Sequence, residues 1–260
     1  MTTEDSDITN GPQAFQQVIQ GYIDSSSHAE VLYDLVDLFR TAEVPRELLL
    51  WGGIVRDAIR DPTAPIKDYD ILVDDSERPM TVPEIYDVLA QELEGKPGTL
   101  VSKTSFGTPR LLINGMCFDV SSVSNANFYR LGILPTDNIN IDNALQGNDI
   151  TTSAIAYHLG RKTVHDAGAI AAISRKEVDV LYEVPDYLFG ICSRLVLHAE
   201  RFGFTVGERG VEFIRRTAGK NPDFNKKIGQ YVETRFNGQG KVVLAKLEEI
   251  CSSDPICQAS

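Results

Sequence analysis

Three acidic side chains have the types and spacing that chemistry would need. In Lys67-Asp68-Tyr69-Asp70-Ile71-Leu72-Val73 two carboxylates stand two residues apart in an alternating, strand-like segment. Residues i and i+2 on a strand point to the same face, so Asp68 and Asp70 would present their carboxylates side by side. Such a pair repels itself, and a hard divalent cation between the two groups relieves the repulsion. Asp119 is the lone acid in Met116-Cys117-Phe118-Asp119-Val120-Ser121, a stretch otherwise small or apolar. A neighbouring strand could bring it beside the other two. Three carboxylates on one site allow two Mg2+ ions, the arrangement used for in-line phosphoryl chemistry. One ion would acidify an attacking hydroxyl, and the other would hold a triphosphate and stabilise departing pyrophosphate. Taken alone, Asp68 and Asp70 read as two solvent-facing acids on an edge strand.

A second stretch supplies what a phosphate needs. Trp51-Gly52-Gly53-Ile54-Val55-Arg56-Asp57 runs from a short apolar strand through paired glycines into a helix start. Glycines let backbone N–H groups approach a phosphate closely, and a helix N-terminus adds favourable partial charge. Arg56, in the first helical turn, could grip phosphate oxygens in bidentate fashion. Asp57 would brace that arginine or cap the turn. Without the acids, the glycine pair is an ordinary tight turn. Arg110 and Arg130 are near the acids in sequence, and no contact is assigned to either. No Ser/His/Asp or Cys/His arrangement stands out, and His158, His165 and His198 lack metal-ligand spacing.

The elements that must position these groups follow from periodicity. Phe15–Ile23 and Ala29–Phe39 have helical spacing, and Pro45 ends that pattern. Leu48–Trp51 reads as a buried strand and Ile54–Arg60 as a helix stopped at Asp61-Pro62. A strand through Tyr69–Val73 and a helix over Val82–Leu93 follow, with Pro83 tolerated in the first turn. Thr99–Thr104, Pro109–Ile113 and Met116–Val120 are strand candidates. Asn114-Gly115 between the last two suits a hairpin turn with positive φ at both central positions. Beyond that, Asp149–Leu159, Tyr187–Phe202, Val206–Ala218, Asn225–Phe236 and Lys241–Cys251 read as helices. The expected division is N-terminal helices over 1–45, a sheet-containing head over 46–165 and a helical neck and C-terminal region over 166–260.

Composition bounds the partners. The chain has 260 residues, 42% of them hydrophobic, with a net charge of −12. Its longest apolar runs fall far short of the ~20 residues of a membrane span, so no membrane role is expected. The polar, acidic start is unlike a secretory signal. Four scattered cysteines (Cys117, Cys192, Cys251, Cys257) form no metal cluster and suit reduced thiols in the cytoplasm, although a Cys251–Cys257 disulfide is open. The acidic balance argues against a protein coated in nucleic acid, and DNA is not an expected partner. Residues 191–260, however, hold 11 basic and 8 acidic side chains. A polyanion would meet this third, around Arg209, Arg215, Arg216, Lys220, Lys226 and Lys227, unless these simply form a solvated helical face.

In order, GGIVRD and KDYDILV resemble the class II tRNA nucleotidyltransferases, the CCA-adding enzymes, and the bacterial poly(A) polymerases. Phe118-Asp119-Val120 is similar to that family's third-carboxylate strand, and Asp149-Ile150-Thr151-Thr152-Ser153-Ala154-Ile155-Ala156-Tyr157 to its RRDFTxNALAY segment. Arg194 through Arg201-Phe202-Gly203-Phe204 is similar to its RxxRFxxRxGF neck helix. The resemblance covers roughly residues 48–205. It implies an α+β fold: a polymerase-β-like nucleotidyltransferase head with a small mixed sheet, then an all-helical neck and body. By the same resemblance, Asp68, Asp70 and Asp119 would be the catalytic, metal-binding acids, with two Mg2+ ions as cofactor. Gly52, Gly53 and Arg56 would touch the nucleotide, with Asp149 and Arg194 nearby.

The chain departs from this pattern where substrate choice is made. Gly147 and Asn148 stand for the paired arginines, Ser153 for the asparagine, and Leu197-His198 for Arg-Phe. The family's neck helix opens with EDxxR, whose Asp and Arg read base edges; the aligned positions here are Tyr187, Leu188 and Ile191. Apolar side chains cannot discriminate bases by hydrogen bonding, although Tyr187 or Phe189 could stack. Only 56 residues follow Phe204, fewer than the body and tail with which family members grip tRNA. The expected activity is transfer of a nucleoside monophosphate from an NTP to a hydroxyl, releasing pyrophosphate. The resemblance favours an RNA 3′ end as acceptor, as in tRNA processing, met by the basic C-terminal helices. The acidic surface and absent base readers favour a small molecule or a protein side chain instead. A nucleotide-binding regulatory protein with a weakly active site is the competing class, and retention of all three acids counts against it.

Overall fold

The computed structural model describes residues 12–41, 46–93, 95–104, 107–235 and 240–252. The acidic lead, Pro45, Phe236 and Cys257 lie outside the described residues. The chain divides into two units, Met1–Leu145 with Ile155–Ala167, and Gln146–Ala154 with Gly168–Ser260.

The first unit is built on a mixed sheet whose inner strands are short apolar runs. In chain order it holds α1 (Pro12–Asp24), α2 (Ala29–Thr41), β1 (Glu47–Trp51), α3 (Gly53–Arg60), β2 (Asp68–Asp74), α4 (Val82–Leu93), β3 (Thr99–Lys103), β4 (Pro109–Ile113), β5 (Met116–Ser122), α5 (Asn127–Arg130), α6 (Ile141–Gln146), β6 (Ile155–His158) and β7 (Thr163–Asp166). The seven strands lie in the order β3-β4-β5-β2-β1-β6-β7. β2 and β5 run parallel and the other neighbours antiparallel. The hairpin between β4 and β5 turns on Asn114 (φ 49°) and Gly115 (φ 85°), the paired positive φ values of a two-residue hairpin turn. On one face of the sheet Leu49, Leu72 and Ala156 join Val123, Tyr129, Ile141 and Leu145 in a core. α2 packs on β1, and α1 on α3 and β7.

Residues Asp149–Leu159 are not a helix. They form a short 3-10 turn, Thr151–Ser153, and then β6. All four β6 residues are buried and pair with β7, and Ala156, Tyr157 and His158 also pair with β1. A strand buried on both faces is a continuous apolar run without alternation, which periodicity alone does not separate from a helix. β7 is polar and half-exposed, so it carried no strand pattern.

The second unit is almost entirely helical: α7 (Ala169–Ser174), α8 (Leu188–Phe202), α9 (Glu208–Gly219), α10 (Phe224–Arg235) and α11 (Gly240–Ser252), with a two-residue parallel pair β8 (Glu177–Val178) and β9 (Thr205–Val206). α8 ends on Gly203 in the left-handed region (φ 66°), a conformation that favours glycine. Buried Phe213, Ile214, Ile228, Val232, Val243 and Leu247 furnish the apolar stripes of α9, α10 and α11.

One carboxylate of the first unit is structural. Asp75 is fully buried and accepts hydrogen bonds from Met80 N (2.6 Å), Ser124 N (2.9 Å) and Ser124 Oγ (2.5 Å). It thereby ties the end of β2 to the turn after β5. Replacing it by alanine strands buried donors, each costing about 1–3 kcal/mol. Asp75→Ala is expected to lower unfolding free energy by about 2–4 kcal/mol; a loss below about 0.5 kcal/mol in denaturant titration would rule out this role.

Candidate active site

The alternation of β2 sets the site. Tyr69 is fully buried on one side, stacked on Phe118 at 4.7 Å, with its hydroxyl 2.7 Å from Ser26 Oγ. Asp68, Asp70 and Leu72 therefore share the opposite face. The parallel register pairs Asp68 with Cys117 and Asp70 with Asp119. The register thus puts all three acids on one face of two neighbouring strands. The face continues inward to Leu72 and the apolar core, so the acids stand where core gives way to solvent.

The phosphate-facing stretch adjoins them. β1 leads into Gly52, whose φ of 62° and ψ of −118° lie in a region that side chains other than hydrogen rarely adopt. Gly52 N donates to Ile155 O at 2.9 Å, and Gly52 O accepts from Arg56 N at 3.0 Å. At Gly53 a Cβ would stand 3.6 Å from Arg56 Nη2 and 3.9 Å from Asp70 Oδ2. The start of α3 therefore lies directly beside a catalytic candidate. Arg56 is buried, and its Nε donates to Asp57 Oδ1 at 2.9 Å. Asp57 braces the arginine from the adjacent position.

Asp119 is not a free carboxylate. Arg110 Nε donates to its Oδ1 at 2.6 Å and Arg110 Nη2 to its Oδ2 at 2.6 Å. The two residues are directly opposed across β4 and β5, so Arg110 touches the site in space as well as lying near it in sequence. Among the described residues, no three His, Cys, Asp or Glu side chains form a group that could hold a metal ion. The donor set that fits a hard cation is the pair Asp68 and Asp70, two oxygen ligands two residues apart on one strand face.

Electrostatics point the same way. Asp68 reaches solvent, yet crowding of its carboxyl by protein pushes its pKa above the ordinary value of 3.8, and the Asp119 charge pushes it further; Arg110 and Arg56 pull it back. A cation beside it would offset both upward pressures. Without cation the folded state binds more protons than the unfolded between 3.8 and the raised value, so this group's contribution to stability falls as pH rises through that window. Asp68→Asn is expected to remove that fall. Thermal melts across the acid range would show it as a flatter stability–pH profile, and an unchanged profile would contradict it.

Asp149 and Arg194 belong to the second unit and hold each other. Arg194 Nη1 donates to Asp149 Oδ1 (2.7 Å) and Oδ2 (2.5 Å), and Nη2 donates to Ser153 Oγ (3.2 Å). The hydroxyls of Tyr187, the residue before α8, and Tyr231 on α10 meet close by. Of the basic residues, Arg215 donates to Ile250 O (3.0 Å) and Arg216 to Glu183 Oε1 (2.5 Å). Arg209, Lys220, Lys226 and Lys227 remain exposed. The histidines take ordinary roles: His158 is buried and accepts from Arg161 N, His165 meets Asp142, and His198 meets Thr152.

Arg110 and Asp75 were missed from sequence. The hairpin turn could have found the first, since a two-residue turn at 114–115 makes 110 and 119 cross-strand partners. No local pattern marks the second.

No protein-family model matches the chain, and no curated protein matches it by sequence. Solved structures do match in fold. A CCA-adding enzyme in apo form superposes with a TM-score of 0.63 at 17% identity, over 89% of this chain and 53% of that one. The Thermotoga maritima CCA-adding enzyme complexed with tRNA gives 0.62 at 18%, over 88% and 54%. A tRNA nucleotidyltransferase with primer tRNA and an incoming ATP analogue gives 0.56 at 17%, over 78% and 57%. The chain thus has the polymerase-β-like fold seen in class II tRNA nucleotidyltransferases, and it spans about half the length of those structures.

Proposed function

We propose that this chain is a divalent-cation-dependent nucleotidyltransferase, moving a nucleoside monophosphate from an NTP to a hydroxyl and releasing pyrophosphate. The observation that carries this reading is the placement of Asp68, Asp70 and Asp119 on one sheet face, with Gly53 and Arg56 against Asp70. Asp68 and Asp70 would hold Mg2+. When bound, the cation supplies positive charge for an attacking hydroxyl and a leaving pyrophosphate. The Gly52–Gly53 backbone orients the triphosphate at the start of α3, and Arg56, fixed by Asp57, adds charge to that cradle. Asp149 and Arg194 hold each other within the second unit, and the nucleotide contacts proposed here are confined to the first.

The acceptor we favour is an RNA 3′ end. Its support is the fold shared with enzymes solved with tRNA and the exposed Arg209, Lys220, Lys226 and Lys227 of the second unit. Leu188 and Ile191 bring no hydrogen-bonding groups to α8, so base choice by edge reading is not expected, and a protein or small-molecule acceptor is the second reading. Among the described residues no helix is long and apolar enough to cross a membrane. The compartment we propose for the activity is the cytoplasm, in keeping with a chain whose cysteines are few and scattered.

The test supplies Mg2+ and each α-labelled NTP, with total RNA or with the protein alone, and follows pyrophosphate and label. Label on RNA 3′ ends with stoichiometric pyrophosphate is the expected result. Label on the protein itself would favour the second reading, and tight NTP binding without pyrophosphate would make the chain a nucleotide sensor.

A further inference from the structure

Resting on the site reading above, we propose that Arg110 is a phosphate-binding residue for the incoming NTP and that Asp119 is its positioning group, rather than a member of a three-carboxylate cation cage. Asp70, Asp119 and Arg110 form one row across β2, β5 and β4, on the same face of the sheet. Both oxygens of Asp119 accept from Arg110, through Nε and Nη2, in a parallel fork. A guanidinium has five N–H donors in a rigid plane. Two are spent on Asp119, and among the described residues no other partner takes the rest. The Arg110 side chain is 42% exposed, so those donors reach the solvent above the carboxylate face.

Charge decides which ligand each part of the row takes. A divalent cation placed on Asp119 would sit against the guanidinium, and like charges a few ångströms apart repel strongly where protein displaces water. The same cation placed between Asp68 and Asp70 is two strands removed from Arg110, with β5 between. An anion placed above Arg110 gains charge-assisted hydrogen bonds from donors already held in orientation. The row therefore sorts cation to the β2 acids and phosphate to β4. Asp119 contributes by fixing the arginine plane.

The probes are inorganic tripolyphosphate, which carries the phosphate chain without a base, and Mn2+, read by electron paramagnetic resonance. Arg110→Gln and Asp119→Asn are each expected to weaken tripolyphosphate binding in EDTA by about 10- to 100-fold, with Mn2+ affinity within about threefold of wild type. Arg110→Lys keeps the charge without the fork, guards against a folding artefact, and is expected to recover only part of the binding. Asp119→Asn that loses Mn2+ but keeps tripolyphosphate would overturn the proposal, as would unchanged tripolyphosphate binding in Arg110→Gln. A wild-type protein that binds neither probe would overturn the nucleotidyltransferase reading itself, a different failure from the other two.

Discussion

Asp70→Asn is expected to lower pyrophosphate release by about 10^3-fold or more while leaving the fold intact. Asp70 is the acid flanked on both sides by functional groups: Asp119 beside it on β5, and Gly53 at the start of α3 with an added Cβ only 3.9 Å from its Oδ2. It is therefore the carboxylate that joins the cation pair to the phosphate cradle. Asparagine preserves the shape and removes the charge, so a cation would be held by Asp68 alone. Removing one of several clustered like charges relieves repulsion in the cation-free fold. Thermal stability should accordingly be unchanged or slightly raised, which separates lost chemistry from lost structure. Turnover above about a tenth of wild type, measured at saturating Mg2+ and NTP, would show that Asp70 does not carry the reaction.

The largest expected effect on stability lies in the second unit. Arg194→Met is expected to cost about 3–5 kcal/mol of unfolding free energy, because it leaves a buried carboxylate without its cation. Asp149 is 4% exposed, and Arg194 supplies both of its charged contacts at 2.7 and 2.5 Å. Among the described residues the one further bond to the carboxylate, from Ile150 N at 3.0 Å, is too little to compensate a buried charge. The double variant Asp149→Asn with Arg194→Met removes both charges and is expected to recover at least half of the loss. Denaturant titration of the single and double variants reads this directly; additive losses would mean the pair is not coupled.

These two sites illustrate what was and was not legible in the sequence. The strand alternation of Asp68, Tyr69 and Asp70 and the hairpin at Asn114-Gly115 are local patterns, and both were realised as expected. The hairpin also contained the Arg110–Asp119 pair, since its two-residue turn makes those positions partners. Reading Arg110 only for its nearness in sequence overlooked that register. The segment after Asp149 misled for a different reason. Its apolar run is a strand buried between β1 and β7, and burial on two faces erases the period that would tell strand from helix. Asp75 left no trace, because its three donors come from Met80 and Ser124 and an acid in the polar run Asp74-Asp75-Ser76-Glu77 after a strand looks like surface. Local pattern revealed the side chains that must face outward together; partners supplied by distant backbone remained hidden.

The most direct measurement is a crystal structure with Mn2+ and a non-hydrolysable NTP analogue, located by the anomalous signal of the metal. The prediction is a manganese peak bridging the Asp68 and Asp70 carboxylates, with the triphosphate lying along the Gly52–Gly53 backbone. A manganese peak away from β2, or a triphosphate bound elsewhere on the chain, would contradict it.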